Sequence, residues 1–376
     1  MRKKAQYTTS RPGMSVVLLV VIAMTLAACG GDTSTSTEPE ETTTSAQAGE
    51  ITTTSAQAEE STTTAQAELE PLTIQFTWLP SPGFAPVFLA QERGYFEEEG
   101  LDVTISVGGG AVGAPTQLAT GAADIAVGGV DDVPNANSEG IPLVTLAVIE
   151  RYSPCSIIVR ADSDVTEPAD LEGQTITSKS FDVCGALLPA YLQAVGVDPA
   201  SVTVNQVDPQ AQIPLFVSGE TDLGSGFTRD EAVEIELSGV DVRLFPYIDA
   251  GVFFPSTGIF TTTDILEEKP DLMRGAVRAI LRGYADAVRE PEASIAAAAA
   301  LYPEQYENME ANIGDAELYA ENIRTHVPEE GLGFQRAEDW QTAVDLLVQY
   351  MGLENPKPAE EYFTNDFLPE EGISLD

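Results

Sequence analysis

The sequence predicts an α/β protein built from mostly parallel sheets flanked by helices, and three observations predict it. Short apolar runs of strand length alternate with helix-length segments from residue 72 onward. The 31 Gly and 24 Pro punctuate the junctions between those runs. Hydrophobic residues make up 43% of the 376, enough for a chain of this length to bury two cores.

The N-terminus reads as a targeting segment. Arg2, Lys3, Lys4 and Arg11 form a basic region, and Met14 to Ala28 is an apolar run that ends in Leu26-Ala27-Ala28-Cys29. That run is too short to cross a bilayer comfortably. Its last four residues resemble a bacterial lipobox. The resemblance implies that residues 1–28 are a lipoprotein signal peptide, that Cys29 is lipidated as the mature N-terminus, and that the protein is tethered to the outer face of the cell membrane. Residues 29–70 follow as a Thr/Ser/Ala/Gln/Glu linker, with Thr42 to Ala48 echoed at Thr52 to Ala58 and, shortened, at Thr62 to Ala67. Such a segment has too little apolar content for a core, and on the flexible-chain estimate spans about 35 Å.

Charge excludes one class of partner. The 60 Asp and Glu face 18 Lys and Arg, a formal net charge of −42. Nucleic acid and anionic lipid surfaces recruit basic clusters and would repel this chain. Loss of residues 1–28 leaves 14 basic against 60 acidic residues, and 51 of those acids lie beyond residue 70, so acidity is mainly a property of the folded part. It describes a strongly solvated surface and says nothing of the fold.

From Leu72 the pattern is strand, loop, helix, strand. Leu72 to Trp78 alternates, Leu79-Pro80-Ser81-Pro82-Gly83 breaks the chain, Pro86 to Gly94 reads as a short helix, and Leu101 to Val107 alternates again. A second unit follows. Pro115 to Thr120 is a helix ending at Gly121, Asp124 to Val127 a buried strand, and Val133 to Glu139 a helix. In parallel sheets ligands collect beyond the carboxyl ends of strands, here the loops after Trp78, Val107 and Val127.

Four motifs in order carry a family resemblance: Trp78-x-Pro80; Ala90-x-Glu92-Arg93-Gly94-Tyr95-Phe96-x-x-Glu99-Gly100-Leu101-x-Val103; Gln117-Leu118-Ala119-x-Gly121-x-Ala123-Asp124-Ile125-Ala126; and Ala169-Asp170-Leu171-Glu172-Gly173-Gln174-Thr175-Ile176. The region from 72 to 376 resembles the NMT1/THI5-like family of extracytoplasmic solute-binding proteins of ABC importers. The resemblance implies a type II periplasmic-binding-protein-like clamshell that closes on a small molecule and hands it to a permease and its ATPase. Lobe one is then 71–160 plus 256–376 and lobe two 161–255, with Ser156 to Arg160 leaving lobe one and Ser256 to Thr261 returning. Helices at Asp271 to Arg289, Pro291 to Leu301, Asp315 to Arg324 and Ala337 to Met351 would rebuild lobe one. The chain is expected to act as a monomer, without cofactor or metal.

Candidate ligand-binding residues follow from the strand ends. Trp78 and Pro80 lie on the first cleft loop, where an indole suits either a planar ring or a core position. Phe84 stands where pyrimidine-synthesising relatives carry a His, and the Cys-rich motif of those enzymes is absent, so no catalytic residue is assigned. Gly129, Asp131 and Asp132 form the third loop, one Asp serving as a helix N-cap and the other free for a ligand amine. Ser178, Lys179 and Phe181 sit on a polar turn of lobe two. Lys179 reads as a solvated loop residue, with anion contact as the alternative. Asp208, Phe227 and Thr228 occupy later strand ends, and Tyr152 and Phe254 flank the crossings. Cys155 and Cys184 are a candidate disulfide that would tie the hinge to lobe two, and His326 reads as a solvated helix-end residue. The aromatics favour a flat heteroaromatic ligand of the thiamine-pyrimidine type, with riboflavin-like and then sulfonate or nitrate ligands as alternatives, and pyrimidine synthesis as the remote one.

Overall fold

The computed structural model describes residues 69–108, 113–180 and 182–375. The signal segment, Cys29, nearly all of the linker and Phe181 lie outside the described residues. Among those described, no helix is long and apolar enough to cross a membrane.

Among the described residues ten strands form two five-stranded sheets. They are β1 (Glu70–Phe76), β2 (Leu101–Ser106), β3 (Ile125–Gly129), β4 (Leu143–Val148), β5 (Cys155–Arg160), β6 (Thr175–Lys179), β7 (Thr203–Val207), β8 (Leu223–Phe227), β9 (Val242–Pro246) and β10 (Thr257–Thr262). The first sheet runs β2-β1-β3-β10-β4 and the second β7-β6-β8-β5-β9. In each, four strands run parallel and one runs against them: β10 is antiparallel to β3 and β4, and β5 to β8 and β9. The odd strand of each sheet is the one that has just crossed from the other lobe. The two sheets thus repeat one topology, and the expected mostly parallel architecture holds.

Among the described residues, twelve α-helices cover the sheets: α1 (Ala85–Glu92), α2 (Tyr95–Glu98), α3 (Ala114–Ala119), α4 (Asp132–Ser138), α5 (Val183–Ala194), α6 (Gln212–Ser218), α7 (Glu231–Leu237), α8 (Thr263–Glu268), α9 (Pro270–Arg289), α10 (Pro291–Leu301), α11 (Met309–His326) and α12 (Ala337–Leu346). Every residue of β4 and β10 is buried, as expected of strands covered on both faces. One core joins β1 and β3 to α1, α9, α10 and α11; a second joins α5 and α12 to the other face of the first sheet.

Two expectations are corrected. Cys155–Arg160 was assigned to the first lobe, but it pairs on both sides within the second sheet, Ile157 opposite Ser225 and Phe245. An apolar run reads alike in either sheet, and its partners are far away in sequence. The crossings are therefore the stretches 149–154 and 247–256, outside the strands. Likewise the segment after α12 is not confined to lobe one, because Tyr350 donates to Gln193 Oε1 of α5 at 3.1 Å.

Cys155 and Cys184 are disulfide-bonded, with Cα atoms 5.3 Å apart. Both belong to lobe two, the first residue of β5 and the first turn of α5, so the bond staples one lobe and does not tie the hinge. Tyr247 Oη donates to the Cys184 carbonyl at 3.2 Å and stacks on Tyr191. The bond spans a sequence separation of 29, for which the chain-entropy model gives roughly 3.5 kcal/mol. Cys155→Ala/Cys184→Ala should lose about that much in urea unfolding, and thiol titration of the denatured parent should find neither sulfur free.

Candidate functional site

The loop after β1 carries the most exposed aromatic of the cleft. It is held from behind, where Tyr306 Oη donates to the Ser81 carbonyl and Tyr284 Oη to that of Gly83, both at 2.8 Å. Beside it, β3 closes on β1 without room for a side chain. Gly128 has φ +145°, a Cβ there would strike Thr77 Oγ1, and Gly129 N donates to the same oxygen at 3.3 Å. These contacts define one wall of a cavity of about 290 Å³. Trp78, Phe84, Gly129 and Asp131 line it from lobe one; Lys179, Phe227, Arg229 and Asp230 line it from lobe two; Ser153 and Phe254 come from the crossings. The carboxyl ends of β1, β3, β6 and β8 therefore converge on it, as the strand-end rule requires.

Both cations of the cleft are already balanced. Lys179 Nζ is ion-paired with Glu231, whose other oxygen accepts from Phe227 N at 2.6 Å. Burial opposes the Lys179 charge, but Glu231 and Asp182 outweigh it and hold the ammonium above its ordinary range. Arg229 is buried among Glu150 (3.4 Å), Asp230 (3.0 Å) and Asp315 (3.5 Å), with Phe227 and Tyr319 packed on its guanidinium. Across the cleft Asp131 is pushed up by burial, and Asp132 beside it to about 7, by burial first and the Asp131 charge second.

The NMT1/THI5 like family model matches residues 81–294, more than half of the chain. The chain belongs to the NMT1/THI5-like family. Among relatives, the riboflavin-binding protein RibY of Chloroflexus aurantiacus is 26% identical over 80% of this chain and 87% of its own. The formylaminopyrimidine-binding protein of Halalkalibacterium halodurans is 26% identical over 79% and 90%. A 4-amino-5-hydroxymethyl-2-methylpyrimidine phosphate synthase of Legionella pneumophila is more distant, 22% over 59% and 70%. In structure, the periplasmic aliphatic sulphonate binding protein SsuA of Escherichia coli superposes with a TM-score of 0.61 at 18% identity, over 78% of this chain and 97% of that one. That likeness places the fold in the periplasmic binding protein class.

Within this family member the expected site residues separate into groups. Trp78, Phe84, Gly129, Asp131, Phe227 and Phe254 line the cleft together. Trp78 is 63% exposed, which rules out the core alternative, whereas Phe84 is buried and stacks on Phe76 at 4.6 Å. Tyr152 and Thr228 line a second cavity instead. Ser178 is buried in β6 against Gly185, Pro80 is buried without lining the cleft, Asp132 begins α4 beside it, and Asp208 caps an exposed turn through Gln210 N. Asp131 holds the N-cap position of α4 but makes no side-chain capping bond, because its carboxylate lies against Gly129. Lys179 is not a solvated loop residue; Glu231 draws it into the cleft wall. His326 is not free in solvent either: its Nδ1 lies 2.8 Å from Asn322 Oδ1.

Arg229, Asp230, Glu231 and Glu150 were missed. The signal was available, since Thr228-Arg229-Asp230-Glu231 follows β8 directly and an Arg is scarce in so acidic a chain. Among the described residues no cluster of His, Cys, Asp or Glu is arranged to hold a metal ion.

Two measurements test this geometry. The folded chain binds the Asp132 proton more tightly than the unfolded one, so the associated stability is present below about pH 4 and lost as pH rises through 7. Asp132→Asn should therefore be more stable than the parent at pH 8 and indistinguishable from it at pH 4 in urea titrations. Gly128→Ala should destabilise by about 2 kcal/mol or more, since the left-handed strand end has no space for Cβ.

Proposed function

We propose that this protein is the extracytoplasmic solute-binding component of an ABC importer, anchored through a lipid on Cys29. It captures a small heteroaromatic nutrient of the thiamine-pyrimidine class and delivers it, as a monomer, to a permease and its ATPase. The observation that carries the reading is a cleft with aromatic rings from both lobes, Trp78 and Phe227, in which each cation already has a carboxylate partner. A flat ring gains by stacking and apolar burial there, and ring N–H or amino groups find acceptors in Asp131 and Asp230. A sulfonate or nitrate would have to compete with Glu231 and Asp230 for the same cations, and would meet Asp131 as well. The similarity to a formylaminopyrimidine-binding protein over 79% of the chain supports the same class.

Riboflavin is the second reading, supported by the similarity to RibY. Its three fused rings call for a wider cleft than about 290 Å³, at the small end for ligand sites. Pyrimidine synthesis is disfavoured because Phe84 stands in place of the synthases' His. The protein is read as a carrier that performs no chemistry.

A thermal-shift screen against hydroxymethylpyrimidine, its formylamino relative, thiamine, riboflavin, taurine and nitrate decides among these. The matching ligand should add about 2.7 kcal/mol at a hundred times its Kd. Stabilisation by taurine or nitrate alone overturns the proposal. Trp78→Ala should weaken binding at least tenfold while leaving the unfolding midpoint within about half a kcal/mol, because the indole is mostly solvent-exposed.

A further inference from the structure

Behind the cleft lies a second cavity, of about 180 Å³, that shares only Ser153 and Arg229 with the first. Its walls come from the outgoing crossing at Tyr152, Ser153 and Pro154, the segment after β8 at Thr228 and Arg229, the end of β9 and start of the return at Pro246 and Ile248, and α11 through Leu318, Asn322 and His326. Ser153 is 4% exposed, and its Oγ has no hydrogen-bond partner among the described residues. A buried hydroxyl without a partner costs free energy unless something in the adjoining space completes it.

The lining also states the chemistry of an occupant. Tyr152 presents an aromatic wall, its ring edge-on to His326 at 5.1 Å and to Phe253 at 4.6 Å. His326 Nδ1 donates to Asn322 Oδ1 and the Asn322 carbonyl, which leaves Nε2 as an acceptor in the neutral ring. An anion is disfavoured most, and a lining that includes Pro154, Pro246, Ile248 and Leu318 repays little of the desolvation of any formal charge. Arg229 in the wall is already paired with Glu150, Asp230 and Asp315, and Arg151 with Asp339, so neither is free to hold an anion, which Glu150 and Glu321 also repel.

We propose that this rear cavity is a second ligand site, for a small uncharged aromatic carrying one hydroxyl or amino group that pairs with Ser153 Oγ or His326 Nε2. An occupant touches both crossings and α11 at once, so it sits where lobe movement is hinged. The proposal does not depend on which nutrient fills the cleft.

His326 is the single histidine of the chain, so its imidazole reports on this cavity alone. Phenol titrated into the full chain, labelled at histidine and carrying no histidine tag, should shift the His326 ring resonances saturably. Leu318 is 42% exposed at the cavity wall, so Leu318→Trp fills the space without disturbing the core. The variant should lose the saturable shift while keeping the parent's thermal unfolding. Absence of a saturable shift in the parent overturns the second site, as does an undiminished shift in folded Leu318→Trp. A negative result in the cleft screen leaves this titration interpretable, so the two readings fail separately.

Discussion

A guanidinium buried at the back of the cleft fixes how the parts of this protein meet. Arg229 comes from the end of β8 in the second lobe, Glu150 from the outgoing crossing, and Asp315 from α11 over the first lobe; Asp230 completes the set. Taking these charges out of water costs several kcal/mol per ion, so the arrangement holds only with every partner present. Glu150 is fully buried and takes further bonds from Asn322 Nδ2 at 2.8 Å and Thr257 Oγ1 at 3.4 Å. One cluster thereby couples β8, β10, α11 and the crossing, and Phe227 and Tyr319 pack on the same guanidinium.

This balance also governs what the cleft can read. A chain of net charge −42 has few cations to offer an anionic ligand. Lys179 and Arg229 are each committed to carboxylates of the protein, and the lining presents rings and acceptors. For the proposed binding role, discrimination would rest on shape, stacking and hydrogen-bond direction, which favours a flat heterocycle over a compact oxyanion. The acidity outside the cleft contributes solvation and has no part in this selection.

Legibility varied with the range of the interactions involved. Strands β1 to β3 and helices α1, α3 and α4 were readable because alternation, Gly121 and the Pro-rich break at Leu79 to Gly83 are local signals. The six residues of β5 were equally recognisable as a strand, yet were placed in the wrong sheet, since pairing with β8 and β9 depends on residues more than sixty positions away. One of Asp131 and Asp132 reads as a helix cap from residue type and position; Asp131 takes the N-cap position of α4, but its carboxylate lies against Gly129 and makes no capping bond. Arg229 stands directly after a strand end, which is a local signal; its pairing with Glu150 and Asp315 is not, because they lie 79 and 86 positions away.

The sequence by itself determined the alternation of strand and helix, the strand ends that converge on the cleft, the aromatic residues that line it, and family membership through four ordered motifs. Each of these is written in residues close together along the chain. Only the tertiary structure decided that Trp78 faces solvent and Phe84 the core, that Cys155 and Cys184 staple a single lobe, that Lys179 and Arg229 are neutralised, and that a second cavity lies behind Ser153. Those outcomes depend on distances between residues from tens to nearly two hundred positions apart, which the folding of both lobes brings together and no local pattern encodes.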